Sequence, residues 1–120
     1  MSTPLPQTIA QHFDGKGKEV RATYDRIMAI AREWGDVKPE AKKTSIHLLR
    51  ASASFAGIST QKDALVLTFK ADSDIRSPRL RKHAESKPGL WNIEIKLTKP
   101  QEVDHELQQW LKASYDLSQS

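Results

Sequence analysis

His47 is the side chain of this chain best suited to proton transfer or charge switching near neutral pH, and it follows Lys43, Thr44 and Ser45 in a run that favours a strand. Imidazole acts as a base only when something orients it. No carboxylate stands at a fixed sequence distance from His47, so a surface or partly packed position explains the residue equally well. Glu94-Ile95-Lys96 lies about twenty residues after Asp72 and Asp74. That spacing echoes metal-dependent nucleases, in which two acids hold magnesium and a lysine helps to activate water. An alternating strand with charged outward positions produces the same acid-x-lysine pattern without any metal.

Five basic residues, Arg76, Arg79, Arg81, Lys82 and Lys87, fall in one stretch whose single acid is Glu85. Such a run gains phosphate affinity by releasing condensed counterions, but it holds no aromatic ring on which a base could stack. Gly15-Lys16-Gly17-Lys18 precedes a helix and superficially suggests a phosphate cradle. It lacks the upstream glycine and the serine or threonine of a P-loop, and a turn between two helices explains both glycines. His12, His83 and His105 are scattered without zinc spacing, and neither a nucleophile elbow nor a dinucleotide fingerprint is present. The chain has no cysteine, which removes disulfides, thiolate nucleophiles and sulfur-ligated zinc together. No metal and no cofactor is expected.

These residues need a scaffold to position them, and the chain length of 120 residues suits one domain. Ile9 and Phe13 share a face of a short helix expected over about residues 5 to 13, which Gly15 can terminate. Val20, Tyr24, Ile27, Ala31 and Trp34 recur at helical spacing, predicting a helix from about Lys18 to Trp34 that Gly35 stops. Asp36 to Lys43, with Pro39, reads as a charged connection. Strands are expected over Thr44 to Arg50, Ser54 to Ser59, Ala64 to Ala71 and Trp91 to Leu97. Asp72 to Gly89 shows no regular pattern, and Leu80 is expected to pin a short helical turn. Thr98-x-x-Gln101 matches a capping box and predicts a last helix from Thr98, with Val103, Leu107, Trp110 and Leu111, together with Ser114, on its buried stripe.

The predicted fold class is α+β, with an antiparallel, meandering sheet of about four strands and the N-terminal and C-terminal helices on one face. A single domain over residues 1–120 is expected, with residues 1–8 a loosely ordered arm. His47, Leu49, Val66, Thr68, Asn92 and Glu94 would then populate the uncovered face, which is either a binding surface or an ordinary solvated one.

Charge is uneven within the net +4. Residues 36–99 hold thirteen Lys and Arg against seven Asp and Glu, whereas residues 100–120 hold one against four. A basic centre beside a partly apolar face points to a non-catalytic binding module for an anionic ligand or nucleic acid, using Lys43, His47, Arg50, Arg79, Arg81 and Lys82. The alternatives are a metal-dependent or histidine-dependent small enzyme, and a protein-interaction or dimerisation module using Leu49 and Val66. The N-terminus lacks a signal-peptide pattern and no segment is apolar enough to cross a bilayer, so a cytoplasmic protein without a membrane partner is expected.

Phe13-Asp14-Gly15-Lys16 with Glu19-Val20, Lys43-Thr44-Ser45-Ile46-His47-Leu48, Phe55-Ala56-Gly57-Ile58, and Leu97-Thr98-x-Pro100 leading to Asp104-x-Glu106-Leu107-x-x-Trp110-Leu111 form an ordered set of short blocks. Together they resemble the bacterial domain of unknown function family numbered fifty-six fifty-five, from about Ile9 to Tyr115. The resemblance implies a small bacterial domain, found alone or attached to others and sometimes labelled a predicted transport protein. It carries over no activity and no catalytic residue. Many members of that family place a histidine in the last strand, where this chain has Asn92 and Ile93.

Overall fold

The structure is a computed structural model that describes residues 8–118. The helix start expected at residue 5, and the expected N-terminal arm up to Gln7, lie outside the described residues. Thr8 accepts from the Gln11 backbone N–H at 3.2 Å while the Gln11 side chain accepts from Thr8 N–H at 3.1 Å. This reciprocal cap opens α1 (Ile9–His12). α2 (Lys18–Arg32) buries Val20, Tyr24, Ile27 and Ala31, the stripe that helical periodicity picks out, and Trp34 packs half-buried just beyond it. Gly35 holds φ at 142°, and a Cβ there would meet the Tyr115 hydroxyl at 2.8 Å. Glycine is therefore needed both for the backbone angle and for the close approach of the last helix.

The sheet has six antiparallel strands rather than about four, ordered β1 (Lys38–Ala41), β2 (Ile46–Arg50), β3 (Ala53–Gln61), β4 (Ala64–Ala71), β6 (Leu90–Leu97) and β5 (Leu80–Lys87). The first four form a meander, but β6 returns to lie between β4 and β5. Both additional strands are edges. β1 arises in the segment expected to be a charged connection. Its Pro39 is tolerated because an edge strand leaves one row of backbone donors unpaired. A single turn does form where one is expected at Leu80, whose N–H donates to Ser77 O at 3.1 Å, and β5 continues directly from it. Seven of its eight residues are exposed, because the helices do not reach that far, so no apolar alternation marks it.

The last helix, α3 (His105–Leu117), starts seven residues later than the expected Thr98. Asp104 is the true cap, its Oδ1 accepting from Leu107 N–H at 3.1 Å. Pro100 instead opens a single 3₁₀ turn, Pro100–Glu102, and the Glu102 carboxylate accepts from the Thr98 N–H at 2.6 Å and hydroxyl at 3.0 Å, and from Lys99 N–H. α3 lies over β3 and β4, and α2 over β4. Ile46, Leu48, Leu65, Leu67, Phe69, Ile93 and Ile95 are buried against Tyr24, Ile27, Leu107 and Leu111 in one core cluster.

One irregularity shapes the open side. Leu48 pairs with Ala56 but Leu49 pairs with Ser54, leaving Phe55 as an extra residue in β3. The bulge lets Phe55 and Ala56 both turn into the core, and Phe55 meets Tyr115 edge-on at 5.1 Å. The β3–β4 ladder stops at Ala56 and Phe69, so two backbone groups beyond it lose each other. Buried Ser114 takes up both: its hydroxyl donates to Phe55 O at 2.6 Å and accepts from Lys70 N–H at 2.9 Å. The helix thus repairs the ladder from the core side.

Candidate functional site

On the side away from the helices, register alone defines a row across the whole sheet: Glu40, His47, Gly57, Thr68, Glu94 and Lys82. Its centre is low, because Gly57 has no side chain and Thr68 is small. A cavity of about 300 Å³ opens there, lined by Ser45, His47, Ser54, Gly57, Ser59, Thr68, Lys70 and Asn92, with Phe55, Ala56 and Phe69 contributing at the bulge. Its volume is at the lower end of the range for small-molecule sites.

Gly57 is the informative residue. A Cβ built on it meets nothing within 4 Å, and it pairs regularly with His47 and Thr68, clear of the bulged residue. Neither packing nor backbone angle demands a glycine, which weakens a strand interior by about 0.5–1 kcal/mol relative to alanine. A glycine inside a strand often marks a bulge, a tight bend or a place where a ligand or another backbone comes close, and the bulge at Phe55 is two residues away.

The chemistry of the lining is one-sided. Four hydroxyls, one amide, one imidazole and one ammonium surround the cavity, and no carboxylate does. By contrast, the hollow between α1, α2 and β1 includes Asp25, and the one along α3 includes Asp116. Lys70 is half-buried and has no acid within ion-pair distance among the described residues. It pairs in register with Asn92, so an ammonium and an amide stand side by side at one end. At the other end His47 faces Glu40 across the β1–β2 ladder. The Glu40 carboxyl is held below its ordinary range, first by a hydrogen bond from Lys42 at 2.6 Å and to a smaller degree by His47. The acid missing near His47 in sequence is therefore supplied by β1, but Lys42 already occupies it.

Of the six residues expected to bind a ligand, only His47 lines the cavity. Lys43 is exposed in the β1–β2 turn, two residues from Ser45. Arg50 lies on the helix side, its Nη1 donating to Tyr115 O at 2.9 Å and its guanidinium 4.3 Å from the Tyr115 ring. Arg79 also belongs to the helix side, donating to Asp104 at 2.8 Å, Glu106 at 3.1 Å and Glu102 O at 2.7 Å. Burial opposes its charge, but the two carboxylates outweigh that and raise its pKa. Arg81 pairs with Glu94 at 3.3 Å, and Lys82 is exposed on the edge strand, three strands from Gly57. The basic run is largely neutralised by acids from β6, α3 and its own loop, where Asp74 holds Arg76 at 2.7 Å.

The nuclease-like pattern does not converge. Glu94 is on the open face with Thr68, whereas Asp74 stands 3.1 Å from Nδ1 of His83, whose register partner Ile93 is in the core. No group of three His, Asp or Glu side chains suited to a metal exists among the described residues. Leu49 is half-buried and Val66 buried; Leu117 is the large apolar side chain exposed among the described residues. No helix among them is long and apolar enough to cross a membrane.

Six antiparallel strands shielded on one side by two helices, with a donor-lined hollow on the other, define an α+β domain of the helix-covered sheet type. The chain belongs to the domain of unknown function family DUF5655, whose model matches residues 9–118. No curated protein and no solved structure matches it.

Proposed function

We propose that this domain is a non-catalytic binding module that takes a small anionic ligand in the open-face cavity, through His47, Thr68, Lys70 and Asn92 over Gly57. The single observation that carries this reading is the unforced glycine at the floor of a hollow whose polar groups include no carboxylate. Lys70 adds charge complementarity, since an unpaired ammonium beside a cavity favours an anion over a cation. A nucleic acid is a poorer fit: the rings of Phe55 and Phe69 are buried in the core, and the arginines of the basic run are engaged by acids.

The test is amide chemical-shift mapping during titration with inorganic phosphate and citrate, at low and at physiological salt. Expected shifts cluster at Ser45, Ser54, Gly57, Ser59, Thr68, Lys70 and Asn92, and weaken with salt. Shifts confined to Arg79, Arg81 and Lys82 would overturn the site. Gly57→Ala, whose added Cβ meets no protein atom within 4 Å, is expected to fold normally and to weaken binding, since its methyl group takes up space that the ligand approaches.

A further inference from the structure

We infer that the ligand of this cavity is a small polyol carrying one terminal anionic group, phosphate or carboxylate, seated between Lys70 and Asn92 with its hydroxylated body across Gly57. This rests on the binding reading above and names the class of molecule. Three features of the lining select it. Lysine serves as a point charge for an anion, and its register neighbour Asn92 adds amide donors, so the anionic group belongs at that end. Ser45, Ser54, Ser59 and Thr68 spread hydroxyls over the rest of the wall, that of Ser54 donating to Ala56 O at 3.3 Å and keeping its acceptor side free. A hydroxyl both donates and accepts, so a wall of hydroxyls can satisfy a hydroxylated body in both directions, which an apolar group cannot use. Finally, the cavity offers no Phe, Tyr or Trp face, and its one aromatic ring is the His47 imidazole at the end away from Lys70. The Phe69 ring stacks on Trp110 at 6.4 Å and the Phe55 ring meets Tyr115, both on the core side. A nucleobase or other flat ring would find only that small imidazole to stack on, whereas an aliphatic polyol needs no platform. The small volume limits the body to a short chain or a single sugar ring.

Calorimetric and amide-shift titrations of the full chain would compare glycerol 3-phosphate, glucose 6-phosphate and gluconate with glycerol, glucose, inorganic phosphate and acetate. The hydroxylated anions are expected to bind more tightly than either half alone, and the better of phosphate and carboxylate identifies the source of the charge. Lys70→Met is expected to weaken them at least about tenfold, the loss of one charged hydrogen bond, and Lys70→Arg to restore part of it. Because Lys70 anchors to Ser114 through its backbone, neither variant disturbs that contact. Gly57→Leu fills the floor and is expected to abolish binding while the melting temperature is kept. Neutral polyols binding as well as their phosphates, or an unchanged affinity in Lys70→Met, would overturn this ligand class and leave the cavity standing. Gly57→Leu binding every compound as the parent does would instead remove the cavity itself.

Discussion

The Ser114 hydroxyl donates to the Phe55 carbonyl at 2.6 Å, so one side chain of the last helix closes a gap that a bulge opens in the middle of the sheet. The same oxygen accepts from Lys70 N–H, and a single buried group therefore ties β3, β4 and α3 together. Ser114→Ala strands a buried carbonyl and a part-buried N–H, at about 1–3 kcal/mol for each. A urea-denaturation midpoint close to that of the parent would show that water or a local shift replaces the hydroxyl.

Acid should loosen the start of α3. Asp104 is held below the ordinary carboxylate range, first by Arg79 and then by the Leu107 N–H; at Glu102 burial pushes upward but the Thr98 and Lys99 donors win. Both groups bind protons less readily folded than unfolded. Their stabilisation is therefore complete above about pH 4.5 and disappears as pH falls through the lowered folded values. Asp104 is half-exposed, so solvent screening limits its share to about 0.5 kcal/mol. Asp104→Asn keeps a capping oxygen and loses the charge, and its stability should fall less steeply between pH 5 and 3. Parallel pH curves for the two proteins would refute this.

Arg79 fastens the start of the exposed edge strand to α3. Arg79→Ala removes the three hydrogen bonds and a guanidinium 5.9 Å from the Trp110 ring. Amide exchange along β5 should accelerate more than along β4, as expected for a locally opening unit. Lysine cannot reproduce the fork, so Arg79→Lys should recover only part of the protection. Uniform acceleration over all strands would point to global destabilisation instead.

Leu67 lies at the crossing of β3, β4 and β6, opposite Ile58 and Ile95, with no exposed surface. Leu67→Ala should cost about 2–5 kcal/mol. A loss below about 1 kcal/mol, read from chemical denaturation, would mean that the core collapses into the space.

Ala51 is the non-glycine residue with positive φ among the described residues, at 54°, in the two-residue turn between Arg50 and Ala53. An L-residue is disfavoured there by about 1–2 kcal/mol. Ala51→Gly is expected to raise the melting temperature by a few degrees despite the added freedom of the unfolded chain. A lower melting temperature would show that entropy dominates.

The strands legible from sequence are those with a buried face. β4 runs from Ala64 to Ala71 as alternation predicts, because Leu65, Leu67 and Phe69 all meet the helices. β1 and β5 escape that logic for different reasons: β1 is only four residues long and alternates merely between exposed and half-buried, whereas β5 has seven of eight residues exposed. Helix stripes read well, yet Thr98 misleads as a cap because Pro100 diverts the chain into a 3₁₀ turn. At the site, His47 is legible from its chemistry alone, whereas nothing in the order of residues joins Lys70 to Asn92. Only register places them side by side, over a hollow to which Gly57, Thr68 and the bulged stretch at Phe55 all contribute. Gly57, set between Ala56 and Ile58 in a strand, was the one local signal available. Arg79 shows the converse failure: its acids come from a helix beginning more than twenty positions on, so its apparent availability vanishes on folding.

The place of β6 between β4 and β5 also sets an order on events during synthesis. Until Leu90–Leu97 leaves the ribosome, β4 has one open flank and β5 has no neighbour at all. Through that interval Arg79 and Arg81 lack their acids, since Glu94, Asp104 and Glu106 are still to come, while Arg76 already has Asp74. An unpaired strand edge is where an incomplete chain is open to misassembly, and slower translation across this stretch would lengthen that exposure.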